Sequence, residues 1–90
     1  MTTLLITYDL NKPGKDYNDL LKTIKSYSSW ARLSESSYAI KTDHSPQQVF
    51  DTLKSFIDQN DNIYIITLKK PYTGFGPKDV NNWLENHLSY

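Results

Sequence analysis

The periods of its apolar residues, taken in order, constrain this chain more than any single position does. Thr3-Leu4-Leu5-Ile6-Thr7-Tyr8 is a β-branched, apolar run that delivers Asp9 where Asn11, Pro13 and Gly14 set a loop. Tyr17, Leu20, Leu21, Ile24 and Tyr27 follow at helical spacing and predict an amphipathic helix over about 16–27. Asp16 or Asp19 near its start and Lys22 and Lys25 toward its end suit the helix dipole. From Trp30 the period becomes two, with Trp30, Arg32 and Ser34 on one side and Ala31 and Leu33 on the other, which predicts a strand over 30–35. Glu35-Ser36-Ser37 reverses the chain into a third strand, 38–42, so the two form an antiparallel hairpin.

Ser45-Pro46-Gln47-Gln48 is the clearest helix start: Ser45 can cap, Pro46 suits the first helical position, and Gln48 sits where a capping box needs it. Val49, Phe50, Leu53, Phe56 and Ile57 make the apolar stripe of a helix over about 46–59, ended by Asn60-Asp61-Asn62. Ile63 to Leu68 is nearly continuous in apolar character, which predicts a central strand covered on much of its surface. Strand, helix, strand, strand, helix, strand is the split βαβ order of an α+β, ferredoxin-like fold: two helices on one face of a four-stranded antiparallel sheet. Strand one and the last strand are expected beside the hairpin. After a turn-rich loop, 71–77, Val80, Trp83, Leu84, His87 and Leu88 recur at helical spacing and predict an extra C-terminal helix over about 78–88.

Ninety residues make one domain, which buries only about 60–65 per cent of its surface, so oligomerisation would add needed stability. Without cysteine there is neither a disulfide framework nor a thiolate metal site. No apolar run approaches the ~18 residues of a membrane span, and no basic stretch precedes a cleavable apolar core, so the expectation is a soluble, cytoplasmic protein. Ten Lys plus Arg balance ten Asp plus Glu, which excludes nucleic-acid binding through an overall basic field and leaves only local contacts.

Asp9, an acid at a rigid strand end, is the first candidate site; turn capping is the ordinary alternative. Lys12, Lys15, Arg32, Lys69 and Lys70 could converge on a phosphate backbone, and each also reads as ordinary surface. Gly74-Phe75-Gly76 lacks the spacing of a phosphate loop and suits a turn that docks Tyr72 or Phe75. His44 and His87 lack companion ligands at metal spacing, and no serine has a recognisable base partner.

The strand ending in Tyr8-Asp9, the hairpin Leu33-Ser34-Glu35-Ser36-Ser37-Tyr38-Ala39-Ile40, and the helix and apolar strand through Leu68 resemble the Cas-two-like group: the small CRISPR-associated subunit of spacer acquisition and the related VapD-type ribonuclease toxins. The resemblance covers about residues 3–69, and extends to small bacterial proteins sharing Tyr8-Asp9-Leu10-Asn11-Lys12-Pro13-Gly14 and a tryptophan-bearing last helix. It implies a ferredoxin-like homodimer whose facing Asp9 carboxylates hold a divalent metal, magnesium, for hydrolysis of RNA or DNA. Two carboxylates can share an ion that one holds poorly. Some members of the group are structural adaptors. Here Asp16, Tyr17, Asn18 and Asp19 stand where the CRISPR subunit has an arginine-rich helix start.

The neutral charge, those missing arginines and the aromatic tail favour an alternative of another class, a non-catalytic dimerisation or protein-interaction module such as a toxin–antitoxin component or regulator. The apolar stripe of the last helix needs a surface. It is expected to pack across a sheet face or edge of its own subunit or of a twofold partner, with Trp30 or other strand residues on the face left uncovered.

Overall fold

A computed structural model describes residues 1–11 and 17–90. The sequence readings at Lys12, Pro13, Gly14, Lys15 and Asp16 lie outside the described residues. The order is β1 (Thr2–Asp9), α1 (Asn18–Ile24), β2 (Ser29–Ser34), β3 (Ser37–Thr42), α2 (Pro46–Leu53), β4 (Asn62–Leu68) and α3 (Lys78–His87). The four strands form one antiparallel sheet in the order β2-β3-β1-β4, the expected βαββαβ arrangement with a helix added at the end.

The pleat of β1 divides the sheet into two faces. Leu4, Ile6 and Tyr8 point one way and meet Leu20 and Ile24 of α1, Val49 and Leu53 of α2, and Tyr38 and Ile40 of β3. This is the core, and its aliphatic members are fully buried, which stabilises the fold by about 1.5–3 kcal/mol per side chain. Ser45 caps α2 as its sequence predicts: its hydroxyl accepts from the Gln48 amide, the Gln48 side chain takes the Ser45 amide, and Pro46 occupies the first turn.

Both core helices are shorter than their apolar stripes. After Ile24, α1 tightens into a turn, with the Tyr27 amide donating to the Ile24 carbonyl, and Tyr27 still reaches the core. After Leu53, α2 passes through a 3-10 turn, Lys54–Phe56, and Ile57 leaves in an extended conformation to pack against the core. The apolar spacing thus outlasts the α-helical hydrogen bonding at both ends.

Two expectations are corrected. β4 is an edge strand, beyond β1 and away from the hairpin, not a central one. Ile63 and Ile65 pack on the core, while Tyr64 and Ile66 point to the other face with 65% and 49% of their surface exposed. Apolar residues on both sides of β4 suggested cover on both sides, but one of its faces is open. Trp30 lies on the core side, in register with Ile40; its ring meets Tyr38 at 5.9 Å, and Lys25 Nζ approaches to 5.5 Å from its centroid.

The second face is where α3 docks, on its own subunit. Thr3 Oγ1 donates to the His87 carbonyl at 2.6 Å, Lys41 Nζ reaches the same oxygen at 3.3 Å, and Trp83 Nε1 donates to Ser29 Oγ at 2.9 Å. The His87 carbonyl, the last of the helix and without a partner within it, is thereby satisfied by the sheet. Beyond α3, Leu88 is buried and the Lys70 amide donates to the Ser89 carbonyl. Among the described residues no helix is long and apolar enough to cross a membrane.

Candidate functional site

Residues 3, 5, 7 and 9 of β1 share the face that α3 partly covers, in register with Leu68, Ile66, Tyr64 and Asn62 of β4. α3 takes the end where Thr3 lies. The other end, Leu5, Thr7, Asp9, Asn62, Tyr64 and Ile66, is left half-buried or exposed. Asp9 therefore stands on the open half of this face, in a shallow depression formed with Thr7, Tyr8, Asn62 and Tyr64.

The chain around Asp9 is fixed from both sides. Tyr8, immediately before it, is buried toward the core; its amide donates to the Ser36 carbonyl and its hydroxyl to the Glu35 carbonyl at 3.1 Å. Burial, reinforced by the nearby Tyr38, pushes the Tyr8 hydroxyl above the ordinary tyrosine range, so it stays a neutral donor. On the other side, Asn11 donates its amide to Asp61 Oδ1 at 2.7 Å and its side chain to the Asn60 carbonyl at 3.1 Å. The same Asp61 carboxylate accepts from the Tyr17 hydroxyl at 2.9 Å and from the Asp58 amide at 2.7 Å. One carboxylate thus gathers the chain after Asp9, the approach to α1 and the turn before β4. Sequence alone gave Asp61 only a place in a turn, because its partners Asn11 and Tyr17 lie 50 and 44 residues away.

The remaining site residues fall elsewhere. Lys69 and Lys70 follow Leu68, which is in register with Thr3, so six residues of β1 separate their end of the sheet from Asp9, about 20 Å. Arg32 lies on the opposite edge strand, three strand spacings or about 14 Å from β4, and donates through Nε to the Ser34 carbonyl. Lys70 is held by Glu85 at 2.9 Å. The structure does not bring Arg32 together with Lys69 and Lys70, nor any of the three to Asp9; Lys12 and Lys15 lie outside the described residues. No group of three or more His, Cys, Asp or Glu side chains able to hold a metal occurs among the described residues. A single chain offers one carboxylate at this site, a donor set that does not fit magnesium by itself.

The expectation that no serine meets a base is also corrected. Ser29 Oγ lies 3.4 Å from His87 Nε2, across 58 residues of sequence. His87 Nδ1 is 2.7 Å from the Trp83 carbonyl, which can only accept, so Nδ1 carries the proton. The Trp83 indole stacks on the imidazole at 4.1 Å and donates to Ser29, so the cluster joins α3 to β2. His44 is exposed in a loop, its ring edge-on to Tyr27. Phe75 is not docked by its flanking glycines but fully exposed, while Tyr72 donates its hydroxyl to Glu85 at 2.9 Å. Comparison of the chain with protein-family models, with curated proteins and with solved structures finds no match in any of the three.

Proposed function

We propose that the protein is a Cas-two-like, nucleic-acid-acting homodimer in which two copies meet through the open half of the sheet face and bring their Asp9 carboxylates together as a divalent-metal-dependent endonuclease, acting on RNA in the first instance. The observation that carries this reading is the company Asp9 keeps. It shares the open half-face with Tyr64 and Ile66, two large apolar side chains exposed side by side, which a second copy would cover.

A twofold axis through that surface doubles the carboxylate that one chain supplies, and the pair then suits a magnesium ion. Such an ion, when bound, polarises a phosphodiester and lowers the pKa of attacking water. What the chain itself contributes is position. Tyr8 and Asn11, tied to the hairpin turn and to Asp61, hold the strand end so that Asp9 is presented without an ordering cost at the moment of binding. The test is cleavage of labelled RNA and DNA with and without magnesium. Cleavage should require the ion and disappear in Asp9→Ala, with unchanged circular dichroism because Asp9 is exposed; cleavage by that variant at the parent rate would remove Asp9 from the mechanism.

The exposed Tyr64 and Ile66 on an edge strand also favour a second reading, a dimerisation or protein-interaction module without chemistry. A salt series separates the two. Nucleic-acid affinity must fall as salt rises in proportion to the phosphates contacted, and no measurable binding even at low salt leaves the interaction module.

A further inference from the structure

The segment between β4 and α3 folds back along that helix and encloses a groove of about 720 Å³ that shares no lining residue with the depression at Asp9. Leu68, Leu84 and Leu88 contribute to its wall, and four of the eight large apolar side chains exposed anywhere among the described residues line it: Leu33, Tyr72, Phe75 and Tyr90. Phe75, between two glycines and fully exposed, contributes nothing to the core. Single exposed apolar residues are ordinary on a protein surface, but three aromatic rings around one concavity mark a contact site.

The charges of the groove indicate what it contacts. Its one acidic side chain, Glu85, already accepts from Lys70 Nζ and from the Tyr72 hydroxyl, both at 2.9 Å. Those bonds, Lys70 first and Tyr72 second, hold the Glu85 carboxyl below the usual carboxylate range. Lys69, exposed at the rim, has no ion pair among the described residues. The groove therefore offers aromatic faces together with an unspent positive charge. A single-stranded polynucleotide presents a flat base and a phosphate in every residue, and so matches both; a duplex turns its base faces inward and matches only the charge.

We infer that this groove is a binding site for single-stranded nucleic acid, with Tyr72, Phe75 and Tyr90 as stacking surfaces and Lys69 as a phosphate contact. The inference rests on the nucleic-acid reading above for its ligand class, but uses none of the residues of the Asp9 site. The probes are fluorescein-labelled oligouridylate and oligodeoxythymidylate of about 12 nucleotides, a length within the usual range for one binding fold. Anisotropy is read in EDTA, where metal-dependent cleavage cannot proceed, so a failure of binding and a failure of catalysis are separate results.

Phe75→Ala should weaken binding of the single strands about 5- to 100-fold while leaving the melting temperature unchanged. Lys69→Gln should lower the slope of log affinity against log salt by about one, and a duplex of equal length should bind more weakly than either strand. If only one of the two probes responds to Phe75→Ala, the site is assigned to RNA or to DNA accordingly. Absent binding at low salt, affinity indifferent to both substitutions, or equal affinity for the duplex would overturn the inference. Loss of self-association in Phe75→Ala, with strand binding intact, would assign the groove to a second copy of the chain instead.

Discussion

The two faces of the sheet are built by different means from one alternating strand. On the core face, Leu4, Ile6 and Tyr8 meet two helices and are closed from water by apolar packing. On the other face, Thr3, Thr7 and Asp9 bring polar groups; α3 ties to Thr3, Lys41 and Ser29 by hydrogen bonds, Ala31 and Ala39 on the hairpin side of this face are buried, and the Asp9 end of β1 and β4 stays open. Apolar packing commits a face to burial. A face closed by a few polar ties can leave half its surface for contacts with other molecules, and Asp9 stands on that half.

The largest effect that could break this contrast is on stability. Leu4→Ala, at a fully buried core position, should cost about 2–5 kcal/mol in denaturant unfolding. Ile66→Ala, on the open half, should stay within about 0.5 kcal/mol at concentrations low enough to keep the chain monomeric. Similar losses at both positions would mean that the open half is already buried.

Trp83→Ala sharpens the comparison within the second face. A core tryptophan truncated to alanine loses about 3–5 kcal/mol; Trp83 is half-buried and carries one hydrogen bond to Ser29, so about 1–3 kcal/mol is expected. A variant as stable as its parent would show that α3 does not dock.

What the sequence displayed and what it hid follow the same division. The core face was legible because its causes are local: alternation at Leu4 and Ile6, the stripe at Val49 and Leu53, and the Ser45 capping box each lie within a few residues. β4 misled because an apolar run reports which residues avoid water, not whether a neighbour is present to cover them. The contacts of Ser29 with Trp83 and His87, and those of the Asp61 carboxylate with Asn11 and Tyr17, cross more than 40 residues and carry no local spacing. Asp9 was legible as a strand-end acid; that it shares an open half-face with Tyr64 and Ile66 required the register of β1 against β4.

The smallest effect concerns pH at the α3 end. The hydrogen bond to Glu85 is the main cause that raises both Lys70 and Tyr72, and Glu85 is lowered in return. The contribution of Glu85 is complete above the ordinary carboxylate pKa and lost as pH falls through its lowered value. Those of Lys70 and Tyr72 are complete below their ordinary values and lost as pH rises through the raised ones. The clamp should hold at neutral pH and loosen toward both extremes, a change small enough to seek in the Lys70 amide resonance, which reports the bond to Ser89. A Lys70 resonance unchanged through the carboxylate range, or Glu85→Gln titrating like its parent there, would remove the clamp.

The most direct test of the central claim, that the open half-face joins two copies and so pairs Asp9 with Asp9, is molar mass by light scattering across a concentration series. Wild-type protein should approach about 21 kDa, twice the 10.5 kDa chain, as concentration rises, and Ile66→Asp should remain at the mass of one chain. A mass of one chain at every concentration for the wild type would contradict the claim, and with the dimer would go the paired-carboxylate site.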